Sequence, residues 1–369
     1  MEKMKNINTM KKTFILLTSI IMFLGCSLDA NNPNNLLEEQ LGVSAFTPMV
    51  NGLEGVTVRA YGNILAPYSV ASDEMIWIGS RDAWQQLNFG NVDNINNEFV
   101  DAAFFFVAEA RYWADDVIAR GEEFSTTNAF SDANRTDLAR AYWYGAVTYM
   151  VIADMFDDFV VGSVKTEGAP PVGPGNMGSL YDTAIGYLNK AIALNAGLTS
   201  ALKATKARAE FSKGIWAKNN PVNTADPLVS SSAAAALAAE ALADLGDDFS
   251  VNLVTSSSAP ETIGALDIAG EVNDRLEMRL SNTYVISSDD KRPDAIGDNN
   301  PATTVSLMDP IDNIADPALY KHVVNFTAPG LYPEYPVVSG REMHLIIAEN
   351  ALANGDNATF TAHINKIRA

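Results

Sequence analysis

The sequence predicts a mostly α-helical protein. Apolar residues recur at spacings of three and four in several long segments, which is the period of an amphipathic helix. Small residues recur where packed helices would have to approach each other closely, at Ala184, Ala191, Ala207 and Gly214. The composition, with 47% apolar and 19% charged residues, is typical of a folded globular protein. We therefore expect a frame of packed helices around a substantial core.

The N-terminal segment has the three parts of a secretory signal: a basic start, a short apolar run and small residues at the cut. Lysines dominate residues 1–12, and residues 13–24 carry no charge. That run is too short to span a bilayer comfortably. The only cysteine, Cys26, follows Leu24 and Gly25, a pattern that resembles a bacterial lipobox. We expect residues 1–25 to be a lipoprotein signal peptide and Cys26 to carry a lipid. The alternative is an ordinary signal peptide with a chance cysteine.

A polar segment separates the signal from the first strong helical pattern. Residues 26–45 contain a stretch rich in Asn and Pro and are predicted to be a flexible tether. The first helix is predicted over residues 46–64, where apolar residues form one stripe. Residues 72–97 are then predicted to be a loop that contains Trp77 and Trp84.

Five further helices are predicted by apolar periodicity, over residues 98–120, 137–156, 179–193, 201–217 and 233–245. Ser179 is expected to be an N-cap, with Asp182 in the capping-box position. The pattern Tyr-x-x-Ala-x-x-Tyr-x-x-Lys-Ala, which begins at Tyr181, is similar to the second helix of a tetratricopeptide repeat. Because the repeat period is imperfect, residues 46–246 are predicted to form tetratricopeptide-like paired helices with irregular loops.

The character of the sequence changes at residue 247. Pro, Ser, Asn and Asp accumulate over residues 247–337, and only short alternating pieces at 278–286 and 321–326 predict strands. We expect a loop-rich insertion carried on the helical frame. Helical periodicity resumes at Ser339 and breaks near Gly355, so residues 338–369 are predicted to form a C-terminal helical hairpin.

The chain is strongly acidic, with a formal net charge of −20 at pH 7. This charge repels nucleic acids and anionic membrane surfaces, so neither is expected as a partner. Uncharged sugars or peptides remain open as ligands.

Enzyme signatures are missing from the sequence. His322, His344 and His363 are scattered without zinc-ligand spacing. The sequence has no nucleophile elbow and no phosphate-binding glycine loop. We expect no catalytic site, no metal and no cofactor other than the lipid on Cys26. A glycosidase-like carboxylate pair remains an alternative because acids are plentiful.

Motifs along nearly the whole chain occur in the order of a known family. The C-terminal stretch contains Arg-Glu-Met-His-Leu-Ile-Ile-Ala-Glu-Asn from Arg341, then a Gly-Asp turn, then Ile-Asn-Lys-Ile-Arg-Ala from Ile364. Earlier pieces that agree include Ala-Arg-Ala-Tyr-Trp-Tyr from Ala139, Met-Phe-Asp-Asp from Met155 and Lys-Ala-Arg-Ala from Lys206. Together with the lipobox, these motifs resemble the SusD/RagB family of Bacteroidota surface lipoproteins. Relatives continue beyond the last helix, so we expect that this sequence is truncated at Ala369.

The resemblance implies a non-catalytic lipoprotein of the outer membrane, anchored through the lipid on Cys26 and exposed at the cell surface. It implies that the ligand is a glycan, which is delivered to a SusC-like TonB-dependent transporter as the partner protein. The competing interpretation is a peptide-binding or protein-binding receptor or scaffold of the same uptake complex, since paired helices often bind protein segments.

A sugar site needs aromatic faces for C–H groups and amides or acids for hydroxyls. Trp84 is the leading candidate for stacking on a sugar because it is predicted in a loop beside Asp82 and Gln86. The further candidates are Trp77, Tyr332 and Tyr335. The alternative is that both loop tryptophans plug the loop onto the helices and that the tyrosine segment only leads into the next helix. The tryptophans within helical patterns, Trp113, Trp143 and Trp216, are predicted to be core residues.

Overall fold

The structure is a computed structural model that describes residues 41–162, 169–194, 196–255, 267–281, 286–287, 307–308 and 332–368. The chain divides into two units, Met1–Gly42 and Val43–Ala369, and all the described helices and strands belong to the second. The predicted signal peptide and Cys26 lie outside the described residues. The end of the predicted tether, Val43–Ala45, is a short 3-10 turn that leads into the first α-helix.

The protein is mostly α, as the sequence predicts. Ten α-helices occur within the described residues. They are α1 (Phe46–Ala71), α2 (Asp82–Asn88), α3 (Glu98–Phe124), α4 (Asp132–Met155), α5 (Ser179–Ala193), α6 (Thr199–Asn219), α7 (Ser232–Leu245), α8 (Ile268–Asn273), α9 (Gly340–Ala353) and α10 (Asn357–Arg368).

The long helices form a series of packed pairs. α3 packs on α1 and α4, and the pairs α4–α5, α5–α6, α6–α7, α7–α9 and α9–α10 follow. The interfaces are close because Ala184, Ala191 and Ala207 are fully buried. At Gly214, an added Cβ would lie 2.6 Å from Val229 Cγ1, so this contact requires glycine. Ala184, Ala191 and Ala207 therefore lie in the core between the helices, as predicted, whereas Gly214 is packed against Val229 of the loop that precedes α7.

Six short strands form three antiparallel pairs in the described part of the chain. β1 (Met75–Trp77) pairs with β3 (Met278–Leu280), β2 (Ser250–Leu253) with β6 (Tyr335–Ser339), and β4 (Ile286–Ser287) with β5 (Leu307–Met308). β2 and β6 lie at the two ends of the predicted insertion, so the insertion leaves and rejoins the frame at one place. β3 and β4 fall within the strand predicted at 278–286, whereas the one predicted at 321–326 lies outside the described residues.

The start of the chain differs from the prediction in two places. α1 continues past Pro67 to Ala71, because Ala66 and Val70 are buried in a second apolar cluster that includes Trp84. The apolar stripe in the sequence ends at Ile64, before Pro67, and a proline commonly ends or kinks a helix. Residues 72–97 are not one loop, since they contain both β1 and α2.

The predicted capping of α5 is wrong. Gly178 precedes the helix without a side-chain cap, Ser179 is the first helical residue, and Asp182 instead binds Lys213 of α6. The end of the frame follows the prediction more closely. Ser339 caps α9, and the chain turns at Gly355, whose φ of 75° is easily reached by glycine.

Candidate functional site

The tryptophan candidates and their polar neighbours lie in or beside α2, where the insertion meets the helical frame. The buried face of α2 consists of Ala83, Trp84 and Leu87. It packs against Phe99 of α3 and Met278 of β3 in one apolar cluster. α2 therefore joins residues of the frame to residues nearly 200 positions later in the chain.

The position expected for Trp84 is wrong, because the residue belongs to the core. Its side chain is 0% exposed, and its ring stacks on Phe99 with centroids 3.7 Å apart. Its indole Nε1 donates a hydrogen bond to Glu271 Oε2 at 3.2 Å. With one face on Phe99 and no exposed area, the indole offers no surface to a sugar.

Glu271 of α8 is a buried carboxyl group that ties the insertion to α2. Its Oε1 also accepts hydrogen bonds from Arg81 at 3.5 Å and Arg275 at 3.4 Å. Burial raises the pKa of Glu271 to about 7, against the opposing effect of the Arg81 charge.

Glu277 fixes the turn that precedes α2. Its Oε2 accepts hydrogen bonds from the backbone N–H groups of Ser80 at 3.0 Å and Arg81 at 3.3 Å, and its Oε1 accepts one from Ser80 Oγ at 3.2 Å. The approach requires Gly79, since an added Cβ would lie 1.9 Å from Glu277 Oε2. Arg81, the N-cap residue of α2, makes no side-chain cap of its own, so Glu277 satisfies these donors from the insertion.

Three other candidates of this region have different environments. Trp77 is half-buried in β1, its backbone N–H donates to Asn88 Oδ1 at 2.9 Å, and its indole Nε1 is without a hydrogen-bond partner among the described residues. Gln86 is also half-buried, and its Oε1 accepts from Asn94 Nδ2 at 2.5 Å. Asp82 is exposed in the first turn of α2. Trp77 and Asp82 therefore remain accessible, while Gln86 holds the following loop.

The two tyrosine candidates also make internal contacts. Tyr335 lies in β6 with 4% of its surface exposed, and its hydroxyl donates to the buried carboxyl of Asp267, so its expected exposure in a loop is wrong. Burial raises the pKa of Tyr335, and it raises the pKa of Asp267 to about 6. Tyr332 is half-buried, and its hydroxyl donates to Asp274 Oδ2 at 2.7 Å.

The loop that follows α2, residues 89–97, presents the most exposed apolar side chains of this region. Phe89 is 74% exposed, Val92 62% and Ile95 86%. Such residues are usually scattered singly over a surface, and several on one loop mark an interaction site. The amide side chains of Asn91 and Asn96 are exposed beside them and make no hydrogen bond within the described residues.

The 89–97 loop is held in place by asparagines. The Asn91 N–H donates to Gln86 O at 2.9 Å, and Asn97 Nδ2 donates to Ala83 O at 2.9 Å. Asn97 Oδ1 also caps α3 by accepting from the N–H groups of Phe99 and Val100. The loop thus combines a fixed backbone, one aromatic face and free amides, which are the groups that a sugar needs.

Our sequence reasoning missed the three apolar residues of this loop. The signal was available, because single apolar residues stand three apart among asparagines after a Phe-Gly pair. The expectation that Trp113 is a core residue is also wrong, as it is 42% exposed on α3, whereas Trp143 and Trp216 are partly buried against the core.

The histidines are less scattered than the sequence indicates. His344 Nδ1 and His363 Nδ1 are 2.8 Å apart, and His344 Nε2 lies 3.2 Å from Asp247 Oδ1. His322 lies outside the described residues. No group of three or more His, Cys, Asp or Glu side chains in the described ranges is arranged to hold a metal ion, and no described helix is both long and apolar enough to cross a membrane.

Comparisons with known proteins show a similarity in fold. No protein-family model matches the chain, and no curated protein matches it in sequence. Among solved structures, the chain is similar to a SusD-like carbohydrate-binding protein from Bacteroides vulgatus, with a TM-score of 0.54 and 12% sequence identity. The match covers 89% of this chain and 74% of the other. The chain therefore has a SusD-like helical fold.

Proposed function

We propose that this chain is a non-catalytic lipoprotein of the outer membrane that binds extracellular glycans at the cell surface. It delivers them to a SusC-like TonB-dependent transporter. The observation that carries the proposal is the SusD-like fold, which extends over 89% of the chain and is shared with a protein described as carbohydrate-binding.

The geometry around α2 supports glycan as the ligand. Phe89 supplies an exposed ring face for the C–H side of a sugar, and Val92 and Ile95 extend the apolar surface. The free amides of Asn91 and Asn96 supply donors and acceptors for hydroxyl groups. Trp77, which is half-buried in β1, contributes the accessible part of its ring. We assign the binding surface to the 89–97 loop, with Trp84 as its buried support.

The N-terminal sequence supports the location. A basic start, a short apolar run and Cys26 after Leu-Gly are typical of an exported lipoprotein. Cys26→Ser should abolish labelling by a fatty-acid analogue and release the protein from the membrane fraction. Unchanged labelling and fractionation would contradict the lipid anchor, irrespective of any result on glycan binding.

The ligand class is tested by calorimetry on the chain from residue 27 onwards, without the lipid. The panel contains neutral oligosaccharides of α- and β-glucan, mannan, galactan, xylan, arabinan and fructan, and a set of peptides of mixed composition. We expect saturable binding of at least one oligosaccharide, with no product after prolonged incubation. Binding of peptides alone would establish the competing peptide receptor, and release of shorter sugars would establish an enzyme.

The role in delivery has a separate test. Affinity purification of the full chain from detergent-solubilised membranes of its native cell should recover a TonB-dependent transporter in a stable complex. Absence of that complex from detergent-solubilised membranes would contradict delivery, even where glycan binding is observed.

A further inference from the structure

We infer that the surface of the 89–97 loop selects uncharged glycans and rejects anionic ones. This inference rests on the proposed function, because it assigns a ligand class to the same surface. The observations that carry it are the charges around the exposed apolar residues Phe89, Val92 and Ile95.

Four exposed carboxylates surround or directly follow the loop in the chain. Asp82 lies in the first turn of α2, Asp93 lies within the loop, and Glu98 and Asp101 lie in the first turn of α3. None of the four makes an ion pair with any residue that the structure describes. Their negative charges are therefore not compensated by a neighbouring side chain.

Two of the basic groups of this region contact the same buried acid. Between residues 72 and 110 the sequence contains one basic residue, Arg81, and its guanidinium contacts Glu271. Arg275 contacts the same carboxyl group. Glu277, which precedes β3, accepts hydrogen bonds from the turn before α2. Arg279 of β3 is half-buried, and its Nε has no hydrogen-bond partner among the described residues. The 89–97 loop itself contains no basic residue that could bind a carboxylate or sulfate of a ligand.

The expected discrimination follows from Coulomb's law. A ligand carboxylate about 8 Å from one of these acids in water, screened at physiological ionic strength, binds roughly 1.4-fold more weakly for each such pair. Four acids then weaken binding about fourfold for each ligand carboxylate. An oligosaccharide with three carboxylates at that distance from all four acids should bind about sixtyfold more weakly than its neutral parent.

The experiment compares ligands that differ only in charge. Maltohexaose, cellohexaose, mannohexaose and galactohexaose are each paired with the derivative whose C6 hydroxymethyl groups are oxidised to carboxylates. Affinity is measured by calorimetry at about 0.05 M and about 0.5 M salt. Screening at the higher salt should reduce the difference between the two members of a pair.

Two charge variants sharpen the comparison. The test variant is D82N/D93N/E98Q/D101N. The matched control is E123Q/D132N/D157N/D248N, which removes the same number of exposed acids from other positions, again including one in the first turn of a long helix. Circular dichroism verifies that both variants keep the helical content of the parent chain. The test variant should reduce the difference in affinity between the neutral and the carboxylated ligands, and the control should leave that difference unchanged.

The outcomes separate this inference from the proposed function. The inference is supported if neutral ligands bind and the carboxylated members bind more weakly. The affinity for the carboxylated members should then recover in the test variant and at high salt. Equal or tighter binding of the carboxylated members overturns it while glycan binding stands. An equal recovery in the control variant also overturns it, since net charge rather than this surface would be responsible. If neither member of any pair binds, glycan binding itself fails and the inference fails with it.

Discussion

The helical frame and the contact between α2 and the insertion are stabilised by different interactions. In the frame, neighbouring helices meet through fully buried small residues such as Ala184 and Ala207 and through apolar side chains such as Leu188. At α2, the link is made by polar bonds between distant residues, such as Ser80 with Glu277, which are separated by 197 positions. The frame depends on volume and close approach, whereas the α2 contact combines an apolar cluster around Trp84 with hydrogen bonds between distant residues, of which the Trp84–Glu271 bond is buried.

This difference explains where the candidate ligand surface lies. In a close-packed helix contact, the loss of a buried methyl group costs stability through the lost burial and the cavity that remains. A buried carboxyl group must find its partners or it destabilises the fold. The 89–97 loop is held between α2, through Ala83 O, and the first turn of α3, through the cap that Asn97 makes. Glu271 and Glu277 act on the loop only through α2. Substitutions in the frame should therefore affect stability alone, whereas substitutions around α2 should affect stability, ligand binding or both.

The largest effect is expected at Trp84. Trp84→Ala removes a fully buried ring together with its contacts to Phe99 and Glu271, and should lower the free energy of unfolding by about 3–5 kcal/mol. Trp113→Ala, which removes a ring that is 42% exposed on the frame, should cost less than about 1 kcal/mol. Urea unfolding followed by circular dichroism measures both. Equal losses would show that Trp84 is not a support of the α2 contact.

The pH dependence of the α2 contact is the next test. The pKa of Glu271 is raised from 4.5 to about 7 by burial, so the folded state holds this proton more tightly than the unfolded state does. The contribution of Glu271 to stability is therefore greatest below about pH 4.5 and falls as the pH rises to about 7. Glu271→Gln keeps an acceptor for Trp84 and cannot ionise.

Urea unfolding at several pH values between 4.5 and 7.5 tests this sign. The Glu271→Gln protein should lose less stability than the parent over that range. Glu122→Gln is the matched control in the frame, because the Lys190 and Tyr142 hydrogen bonds lower the pKa of Glu122. That group stabilises the fold above its ordinary pKa of 4.5 and loses this contribution only at lower pH, so its replacement should leave the pH dependence between 4.5 and 7.5 almost unchanged. The same change in both variants would contradict the assignment.

The contact between α9 and α10 should respond to pH in the opposite sense to Glu271. Burial and the neighbouring His344 lower the pKa of His363, and Asp247 and Lys366 are the other charges nearby. A lowered pKa means that the contact is fully stable above about pH 6.5 and weakens as the pH falls. Amides of α10 should exchange faster at pH 5 than at pH 7.5 after correction for intrinsic rates. His363→Gln should remove that difference, and an unchanged difference would locate the titrating group elsewhere.

A smaller effect compares two helix caps. Asn97 caps α3 and holds the 89–97 loop through Ala83 O, whereas Ser131 caps α4 in the frame through a capping box with Asn134. Asn97→Ala and Ser131→Ala should each cost about 1 kcal/mol of stability. Only Asn97→Ala should also weaken glycan binding, because only Asn97 fixes the loop. Equal affinities of the two variants by calorimetry would remove the loop from the binding surface.

The two regions also differ in how far the sequence predicts them. The frame follows from apolar periodicity and small residues, which are local signals, and the helices from α3 to α7 begin or end within a few residues of the prediction. The structure around α2 cannot be predicted from such local signals, because the burial of Trp84 depends on Glu271 and Phe99. A tryptophan between polar residues has the same sequence signature whether it is exposed or buried. Tyr335 was misplaced for the same reason, since its partner Asp267 is 68 positions away.

The most direct test of the account is whether glycan binding depends on the exposed apolar residues of the 89–97 loop. The test variant is F89A/V92A/I95A, and the matched control is I215A/V222A/L345A, which removes three exposed apolar side chains from other surfaces. Calorimetry with an oligosaccharide that binds the parent chain should show a loss of about tenfold or more for the test variant. The control should stay within about twofold of the parent, and both variants should keep the parent's unfolding transition. Unchanged affinity in the test variant, or an equal loss in the control, would contradict the assignment of the ligand surface to this loop.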